Sequence, residues 1–322
     1  MKILQIMEPG RAEWQEVPTP SPGTGEVLVK VLAVTTCPHW DLHIYGGEPM
    51  FPGDTLTYPY TAGQPGHEMA GTVVAVGEGV TEFAVGDRVS AWRDVGHHRP
   101  GCYAEYVLRE PADLIAVPAA LEPAAVAPVE LAMCVSSTIL MLREMQALAG
   151  QRVGIGGLGP AGLVAAQLAR AEGAAEVIGF DLNPVRREYA LGFAIDRAVD
   201  PTGPEGTTFP RRLQAGSLDT AIDCCGLKAS VEYLMDITSR VVALFGVQRE
   251  DYTFAPRHYG FLKLCGYTGH YRAAAEYAVR QIEAGRLDLR PLVTHRLPFT
   301  EYDRAVDLLR RQEALKVCFL PD

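Results

Sequence analysis

Residues 152–162 read RVGIGGLGPAG, a short apolar run that passes directly into a glycine-rich turn. The run Arg152–Gly156 is apolar and bounded by glycine, which predicts a buried strand. The alanine-rich segment 161–172 that follows predicts a helix. A glycine-rich turn between a strand and a helix presents free backbone N–H groups to a phosphate. The stretch therefore predicts a nucleotide-binding unit built on a parallel sheet.

The turn itself matches the G-x-G-x-x-G pattern of dinucleotide-binding folds. In that pattern the glycines permit a tight turn, a close backbone approach to pyrophosphate and close helix–strand packing. The cofactor-binding residues expected in the turn are Gly157, Gly159, Pro160, Ala161 and Gly162.

Residues beyond the turn extend the predicted cofactor site. Asp181 ends the next predicted strand, where its carboxylate can accept hydrogen bonds from a ribose diol and repel a 2′-phosphate. This favours NAD over NADP. Arg186 either stacks beside adenine or is a solvated side chain. Phe245, Gly246 and Val247 end a later strand and lie either near the nicotinamide or at an ordinary strand end.

The pattern of predicted elements changes along the chain. Residues 131–268 alternate strands with alanine-rich helices, which predicts the doubly wound parallel sheet of a Rossmann α/β domain. Residues 1–130 contain short strands punctuated by glycine and proline, which predicts a partly open β-barrel. Two helical segments and a strand after residue 268 fit either domain by pattern alone.

Composition limits the classes of partner. The chain has 322 residues, a formal charge of −10 and 48% hydrophobic residues, so we expect two domains and no binding to nucleic acid or anionic membrane. The most apolar stretch, 131–142, is too short to span a bilayer, and the N-terminus lacks a signal-peptide pattern. Seven cysteines without regular spacing fit a reducing compartment, so a cytoplasmic location is expected.

A second group of residues predicts a metal site. Cys37 follows one predicted strand, and His67 and Glu68 precede another. A thiolate, an imidazole and a carboxylate form a ligand set that suits zinc. A further ligand is required, for which Glu130 and Cys134 are the candidates. Glu130 is favoured, because a charge at an apolar helix start is costly to bury without a partner.

Together these motifs resemble the zinc-dependent medium-chain alcohol and polyol dehydrogenases. The resemblance covers essentially the whole chain. The residues that carry it are Cys37 with Asp41-Leu42-His43, Gly66-His67-Glu68-Met69-Ala70-Gly71, Val85-Gly86-Asp87-Arg88-Val89, the Gly157–Gly162 turn with Asp181, and Thr294-His295-Arg296. It implies a GroES-like barrel domain formed by residues 1–130 and 269–322 around a Rossmann domain of residues 131–268.

The resemblance also implies an activity and its cofactors. The activity is hydride transfer between NAD and a small-molecule alcohol or ketone, namely a secondary alcohol, polyol or sugar-like substrate. One catalytic zinc is expected on Cys37, His67 and Glu130, with Glu68 as an exchangeable ligand. The family's structural-zinc lobe of four closely spaced cysteines is missing, so no structural zinc is expected. A homodimer or tetramer is implied as well.

Proton transfer and ligand orientation add three residues to the expected site. His39 is the first candidate for carrying the proton away and His43 the second, because imidazole titrates near neutral pH. Asp41 is expected to orient His67, and it can also cap a short helix. The spacing from Cys37 to Asp41 is one residue longer than is usual in the family, so the choice between the two histidines stays open.

Side chains around this stretch are candidates for the substrate pocket. The aromatic ones are Trp40, Tyr45, Phe51 and Trp92. His97 and His98 are expected to be solvated loop residues.

Two alternative functions remain open at this point. A zinc-free quinone or enone reductase could use the same fold, but it would not need Cys37, His67 and Glu68, and it would usually prefer NADPH over the NAD that Asp181 favours. A non-catalytic dinucleotide-binding protein is the alternative from another class.

Overall fold

A computed structural model describes residues 1–51 and 53–320. The chain divides into two compact units, one formed by residues 1–133 with residues 288 onward and the other by Cys134–Leu287. The sequence analysis places these divisions after residues 130 and 268. The segment 269–287 therefore belongs to the second unit rather than to the first.

The described residues form both β-strands and α-helices, numbered here in chain order. The strands are β1 (Lys2–Glu8), β2 (Arg11–Glu16), β3 (Val27–Thr35), β4 (Glu68–Val76), β5 (Arg88–Ala91), β6 (Tyr106–Arg109), β7 (Leu114–Ala116), β8 (Arg152–Gly156), β9 (Glu176–Phe180), β10 (Arg197–Val199), β11 (Leu218–Asp223), β12 (Thr238–Leu244), β13 (Lys263–Gly266), β14 (Val293–Pro298) and β15 (Lys316–Leu320). The α-helices are α1 (Pro38–Gly46), α2 (Pro123–Val126), α3 (Val129–Glu144), α4 (Pro160–Ala171), α5 (Pro184–Ala190), α6 (Pro204–Thr207), α7 (Lys228–Ile237), α8 (Arg272–Glu283) and α9 (Tyr302–Arg310).

The second unit is built on a six-stranded parallel sheet. Its strand order is β10-β9-β8-β11-β12-β13, which corresponds to the order 3-2-1-4-5-6 of dinucleotide-binding sheets. The central strands β8, β9 and β11 are almost entirely buried, as parallel strands covered on both faces must be. The Rossmann architecture predicted for this part of the chain is therefore confirmed.

The first unit is a mostly antiparallel β-structure closed by the end of the chain. Its main sheet has the order β14-β15-β3-β4-β5-β7, with β6 also paired to β3. Strand β15 pairs antiparallel with β3, so the last described residues complete a sheet that begins near the N-terminus. A buried cluster that includes Leu4, Val31 and Phe319 forms the core of this unit.

The helical run Pro123–Glu144 extends beyond the apolar stretch 131–142 at both ends. By length and composition the longer run could cross a membrane, whereas the stretch 131–142 alone is too short. However, 89% of its most apolar window is buried inside the protein. A core helix of a folded domain satisfies the same criteria.

Candidate active site and cofactor turn

Strand pairing brings together the residues predicted to bind zinc. Strands β3 and β4 are antiparallel, and their register pairs Thr35 with Glu68. Cys37, two residues beyond Thr35, therefore lies close to His67, which immediately precedes Glu68. Ligand atoms of Cys37, His67 and Glu68 all lie within 4.8 Å of one another.

His67 is oriented by the backbone. Its Nδ1 lies 2.8 Å from the Pro65 carbonyl oxygen, so Nδ1–H donates there and Nε2 is left with a lone pair. Glu130 Oε2 lies 3.7 Å from this Nε2, and both side chains are buried. Of the two candidate further ligands, Glu130 is the one that the first unit places beside His67; Cys134 is the first residue of the second unit.

The charges around His67 favour a cation. Burial lowers the pKa of the imidazole, but Cys37 and Glu130 outweigh burial and raise that pKa well above its ordinary value. The negative potential that attracts a proton also attracts a metal ion, and the donor set of sulfur, nitrogen and carboxylate oxygen is one that zinc prefers. The residues of this site therefore fit a zinc ion.

Glu68 is held by the C-terminal strand. Lys316 Nζ on β15 lies 2.6 and 2.7 Å from the two Glu68 carboxylate oxygens and 2.7 Å from the Thr36 carbonyl oxygen. The Thr35 hydroxyl donates a further hydrogen bond of 2.8 Å to Glu68. Both partners of the ion pair are 1% exposed, so the carboxylate beside the candidate metal ligands is buried in direct contact with the Lys316 ammonium.

Asp41 has a different role from the one expected. It is not the hydrogen-bond partner of His67, because Pro65 takes that position. Its carboxylate instead accepts the Cys37 backbone N–H at 2.8 Å and the hydroxyls of Tyr103 and Tyr302 at 2.8 Å. Burial raises the Asp41 pKa to about 6, against the lowering effect of these donors. Asp41 thus fixes the backbone at Cys37.

The two histidines proposed to carry the proton lie on α1. His39 is exposed, and His43 is partly buried with Nδ1 4.0 Å from Glu48. Within residues 1–51 and 53–320, neither is among the ligand-capable groups that gather around His67. Their assignment to proton transfer stays a prediction.

A third group near His67 is absent from the sequence analysis. The ligand-capable atoms of His67, Asp94 and His97 lie within 4.8 Å of one another. The prediction of a solvated loop residue is therefore wrong for His97, whose side chain is 14% exposed and packs on Trp40 with ring centroids 4.1 Å apart. His98 is exposed, as expected. The D-x-x-H spacing of Asp94 and His97 is the only sequence signal of this cluster.

The aromatic candidates for a substrate pocket divide into two groups. Trp40 and Phe51 line a cavity in the first unit. Tyr45 and Trp92 are buried, and their polar atoms donate to the Gly10 and Ala112 carbonyl oxygens respectively. These two side chains are part of the packing of the unit rather than of the cavity.

The glycine-rich turn connects β8 to α4. Gly157 has a φ of +87°, which favours glycine, and a Cβ on Gly162 would lie 1.9 Å from the Gly157 carbonyl oxygen. Gly159 immediately precedes helix α4, and Pro160 and Ala161 are the first two residues of that helix. The first backbone N–H groups of this helix can therefore receive a pyrophosphate.

Asp181 and Arg186 lie against the same turn. Asp181 accepts the Leu158 backbone N–H at 2.8 Å and the Asn183 N–H at 2.8 Å. A carboxylate has about four acceptor sites, so it can still accept a ribose hydroxyl. A Cβ on Gly159 would lie 3.9 Å from an Arg186 guanidinium nitrogen, which brings a positive charge to the phosphate-binding turn.

Phe245, Gly246 and Val247 follow β12 at its carboxyl end. The backbone N–H groups of Phe245 and Gly246 both donate to the Asp223 carbonyl oxygen at the end of β11. In doubly wound sheets, ligands bind outside the carboxyl ends of the strands. The segment therefore lies at the edge of the sheet where doubly wound folds bind their cofactors.

Comparison with known proteins agrees with this arrangement. Residues 23–119 match the model of the alcohol dehydrogenase GroES-like domain, and residues 160–277 match that of zinc-binding dehydrogenases. The L-threonine 3-dehydrogenase of Symbiobacterium thermophilum is 31% identical over 349 residues, covering 100% of this chain and 98% of the relative. The sorbitol dehydrogenase of Halalkalibacterium halodurans is 27% identical over 354 residues, covering 100% and 99%.

Solved structures show the same fold. A Sinorhizobium meliloti protein described as a zinc-binding dehydrogenase, solved with NADP, superposes with a TM-score of 0.82 at 26% identity and covers 99% of both chains. The galactitol-1-phosphate dehydrogenase of Escherichia coli superposes with a TM-score of 0.83 at 24% identity over 100% of both chains.

The fold, the ligand set and the glycine-rich turn define a zinc- and nicotinamide-dependent alcohol or polyol oxidoreductase. The chain belongs to the zinc-dependent medium-chain dehydrogenase family.

Replacement of Lys316 should test the buried ion pair. Lys316→Met leaves the Glu68 carboxylate buried without its cation, so the free energy of unfolding should fall by about 3–5 kcal/mol. The double variant Lys316→Met with Glu68→Gln should recover most of that loss. Urea unfolding followed by circular dichroism measures both. A loss below about 1 kcal/mol in the single variant would contradict a structural role for the pair.

Replacement of Gly162 should test the turn. In Gly162→Ala the new methyl overlaps the Gly157 carbonyl oxygen, so we expect a loss of about 1–3 kcal/mol in stability and at least about tenfold weaker NAD binding. Gly266→Ala on β13 is the matched control, because its Cβ meets no atom within 4 Å. Cofactor binding is measured by fluorescence titration. Equal NAD affinity in the two variants would argue against this geometry.

Proposed function

We propose that this enzyme uses one catalytic zinc ion and NAD to oxidise a secondary alcohol, polyol or sugar-like substrate reversibly to a ketone. The observation that carries the proposal is the convergence of Cys37, His67, Glu68 and Glu130 within one buried region of the first unit. The relatives that act on sorbitol and L-threonine support the class of substrate.

Cys37, His67 and Glu130 are the proposed zinc ligands, and Glu68 is the exchangeable one. Zinc bound there supplies Lewis acidity to an alcohol oxygen. The protein's own contribution is to hold the ligands in place. Asp41 fixes the Cys37 backbone, the Pro65 carbonyl fixes the His67 ring, and Lys316 holds the Glu68 carboxylate. Pre-positioned ligands of this kind lower the cost of ordering the site.

Glu130 is the favoured further ligand over Cys134. Its buried carboxylate lies 3.7 Å from His67 Nε2, which is the nitrogen that Pro65 leaves available. No second zinc is proposed, because between Ala91 and Tyr103 the sequence contains only Cys102. Structural zinc sites have four cysteine or histidine ligands, of which at least two are usually thiolates.

NAD is the proposed cofactor because the Asp181 carboxylate would repel the 2′-phosphate of NADP. Arg186, near Gly159, is proposed to contact the cofactor at the turn. The segment Phe245–Gly246–Val247 is proposed to line the nicotinamide end. A dimer or tetramer, as the family implies, stays a prediction for this chain.

Zinc content separates this proposal from a zinc-free reductase on the same fold. Cys37→Ala should lose both metal and activity, because a thiolate is the softest ligand of the set. The unmodified protein should hold about one zinc per chain and the variant less than about a fifth of that. Cys265→Ala on β13 is the matched control and should keep both. Metal analysis and NAD turnover are measured on the same preparations. Full zinc and rate in Cys37→Ala would refute the ligand assignment.

Two substitutions at Asp181 test the choice of cofactor. Asp181→Ala removes both the hydrogen-bond acceptor and the charge, so NAD should bind about tenfold more weakly. Asp181→Asn keeps an acceptor but removes the charge, so its main effect should be a gain in NADP use. The ratio of kcat/KM for NAD to that for NADP measures both effects. An unchanged ratio in both variants would show that Asp181 does not select the cofactor.

A further inference from the structure

A cavity of about 570 Å³ lies in the first unit beside the proposed zinc ligands. Its apolar lining residues include Trp40, Phe51 and Leu56. Its polar lining residues include Tyr60, Asp94 and His97. Its volume falls within the range of about 300–1,000 Å³ that small-molecule sites occupy.

Asp94 and His97 adjoin the proposed metal site, because their ligand-capable atoms lie within 4.8 Å of one another and of His67. If Cys37 and His67 hold a zinc ion, a substrate whose reacting oxygen binds there would have its neighbouring carbon atom close to these two side chains. A single secondary alcohol offers them nothing to bind, whereas a substrate with a second polar group does.

Tyr60, His97 and Asp94 form a chain of polar contacts. The Tyr60 hydroxyl lies 2.7 Å from His97 Nδ1, and His97 Nε2 lies 3.4 Å from Asp94 Oδ2. The second contact is not aligned as a hydrogen bond, so the buried Nε2 has no hydrogen-bond partner among the described residues. A buried polar atom without a partner is costly, and a ligand that pairs with it recovers that cost.

The neighbours of His97 determine which nitrogen carries the hydrogen in the neutral ring. Burial, with Tyr58 and Asp94 nearby, raises the pKa of Tyr60 to about 12, so the phenol keeps a hydrogen that it can donate to Nδ1. Nε2 then carries N–H and points toward the Asp94 carboxylate. The opposite tautomer would place a lone pair against that carboxylate.

Asp94 completes the pair as an acceptor. Its Oδ1 accepts the Gly96 N–H at 2.8 Å, which leaves Oδ2 facing His97. One N–H donor and one carboxylate acceptor therefore lie 3.4 Å apart on two residues that line the cavity.

We propose that Asp94 and His97 bind the hydroxyl on the carbon next to the one oxidised, so that the enzyme selects vicinal diols and polyols over simple secondary alcohols. The inference rests on the proposed dehydrogenase function. A hydroxyl both donates and accepts a hydrogen bond, which matches the donor–acceptor pair. An ammonium only donates, so it would leave the His97 N–H without an acceptor. Trp40 and Phe51 provide apolar surface for the carbon chain.

The experiment compares substrates that differ by one group. Butane-2,3-diol, butan-2-ol and 3-aminobutan-2-ol share a carbon skeleton, and each is assayed with NAD and with NADP. A wider panel includes sorbitol and galactitol. We expect kcat/KM for the diol to exceed that for the monoalcohol by about tenfold or more, mainly through KM. His97→Leu should reduce this ratio to near unity, and Asp94→Asn should reduce it less.

The controls separate a binding role from a structural one. His97→Gln keeps an N–H donor and should restore part of the diol preference that His97→Leu loses. His98→Leu alters the exposed neighbouring histidine and should leave the ratio as it is. Zinc content and NAD affinity are measured for every variant, and they should match the unmodified protein, because a misfolded site would change them.

The outcomes distinguish this inference from the proposed function. A ratio that His97→Leu leaves unchanged would overturn the inference, as would equal turnover of diol and monoalcohol by the unmodified enzyme. A preference for the amino alcohol that Asp94→Asn abolishes would also overturn it, since the bound group would be a cation. No turnover of any panel member by the zinc-loaded protein would instead refute the proposed function.

Discussion

The buried ion pair between Glu68 and Lys316 is the interaction on which the candidate site depends. Glu68 begins β4, and Lys316 begins β15 near the end of the described chain, so the pair joins segments far apart in sequence. A carboxylate in a dry interior requires a cation, and Lys316 also donates to the Thr36 carbonyl oxygen beside Cys37. The candidate metal-binding region is therefore completed only when the C-terminal strand pairs with β3.

Asp41 connects the same two ends of the first unit by a second route. It binds Tyr103 in the loop before β6, Tyr302 at the start of α9 and the Cys37 backbone. These contacts are hydrogen bonds to a buried acid rather than metal chemistry. Asp41, four residues after the proposed ligand Cys37, thus positions the backbone, while His67 takes its orientation from the Pro65 carbonyl. The positioning contacts and the proposed metal ligands therefore belong to different residues.

Local sequence patterns predict much of this architecture. The parallel sheet, the glycine-rich turn and Asp181 are predictable because each depends on residues within one strand–turn–helix unit. The predicted strand at the C-terminus is confirmed, but strands β1, β2, β7, β10, β13 and β14 and helices α2, α6 and α7 are not predicted. Strand β2, for example, reads RAEWQE, whose polar residues give little apolar periodicity, and only its pairing with β1 makes it a strand.

Contacts between distant segments account for what the sequence analysis misses in the site. The sequence does not distinguish Lys316 from any other lysine in a strand, because its ion pair with Glu68 depends on where β15 lies in the fold. The sequence likewise does not distinguish His97 from a solvated loop histidine, because the Tyr60 hydroxyl contacts one ring nitrogen and Asp94 lies beside the other only in the folded chain. The expected role of Asp41 is wrong for the same reason, since its tyrosine partners are 62 and 261 residues away. Sequence spacing alone does not report such pairings.

X-ray absorption at the zinc edge of the purified protein tests whether a single zinc ion is bound by one thiolate together with nitrogen and oxygen ligands. We expect one sulfur at about 2.3 Å and nitrogen or oxygen ligands at about 2.0–2.2 Å. Two or more sulfur ligands, or a protein that is fully active without zinc, would contradict it.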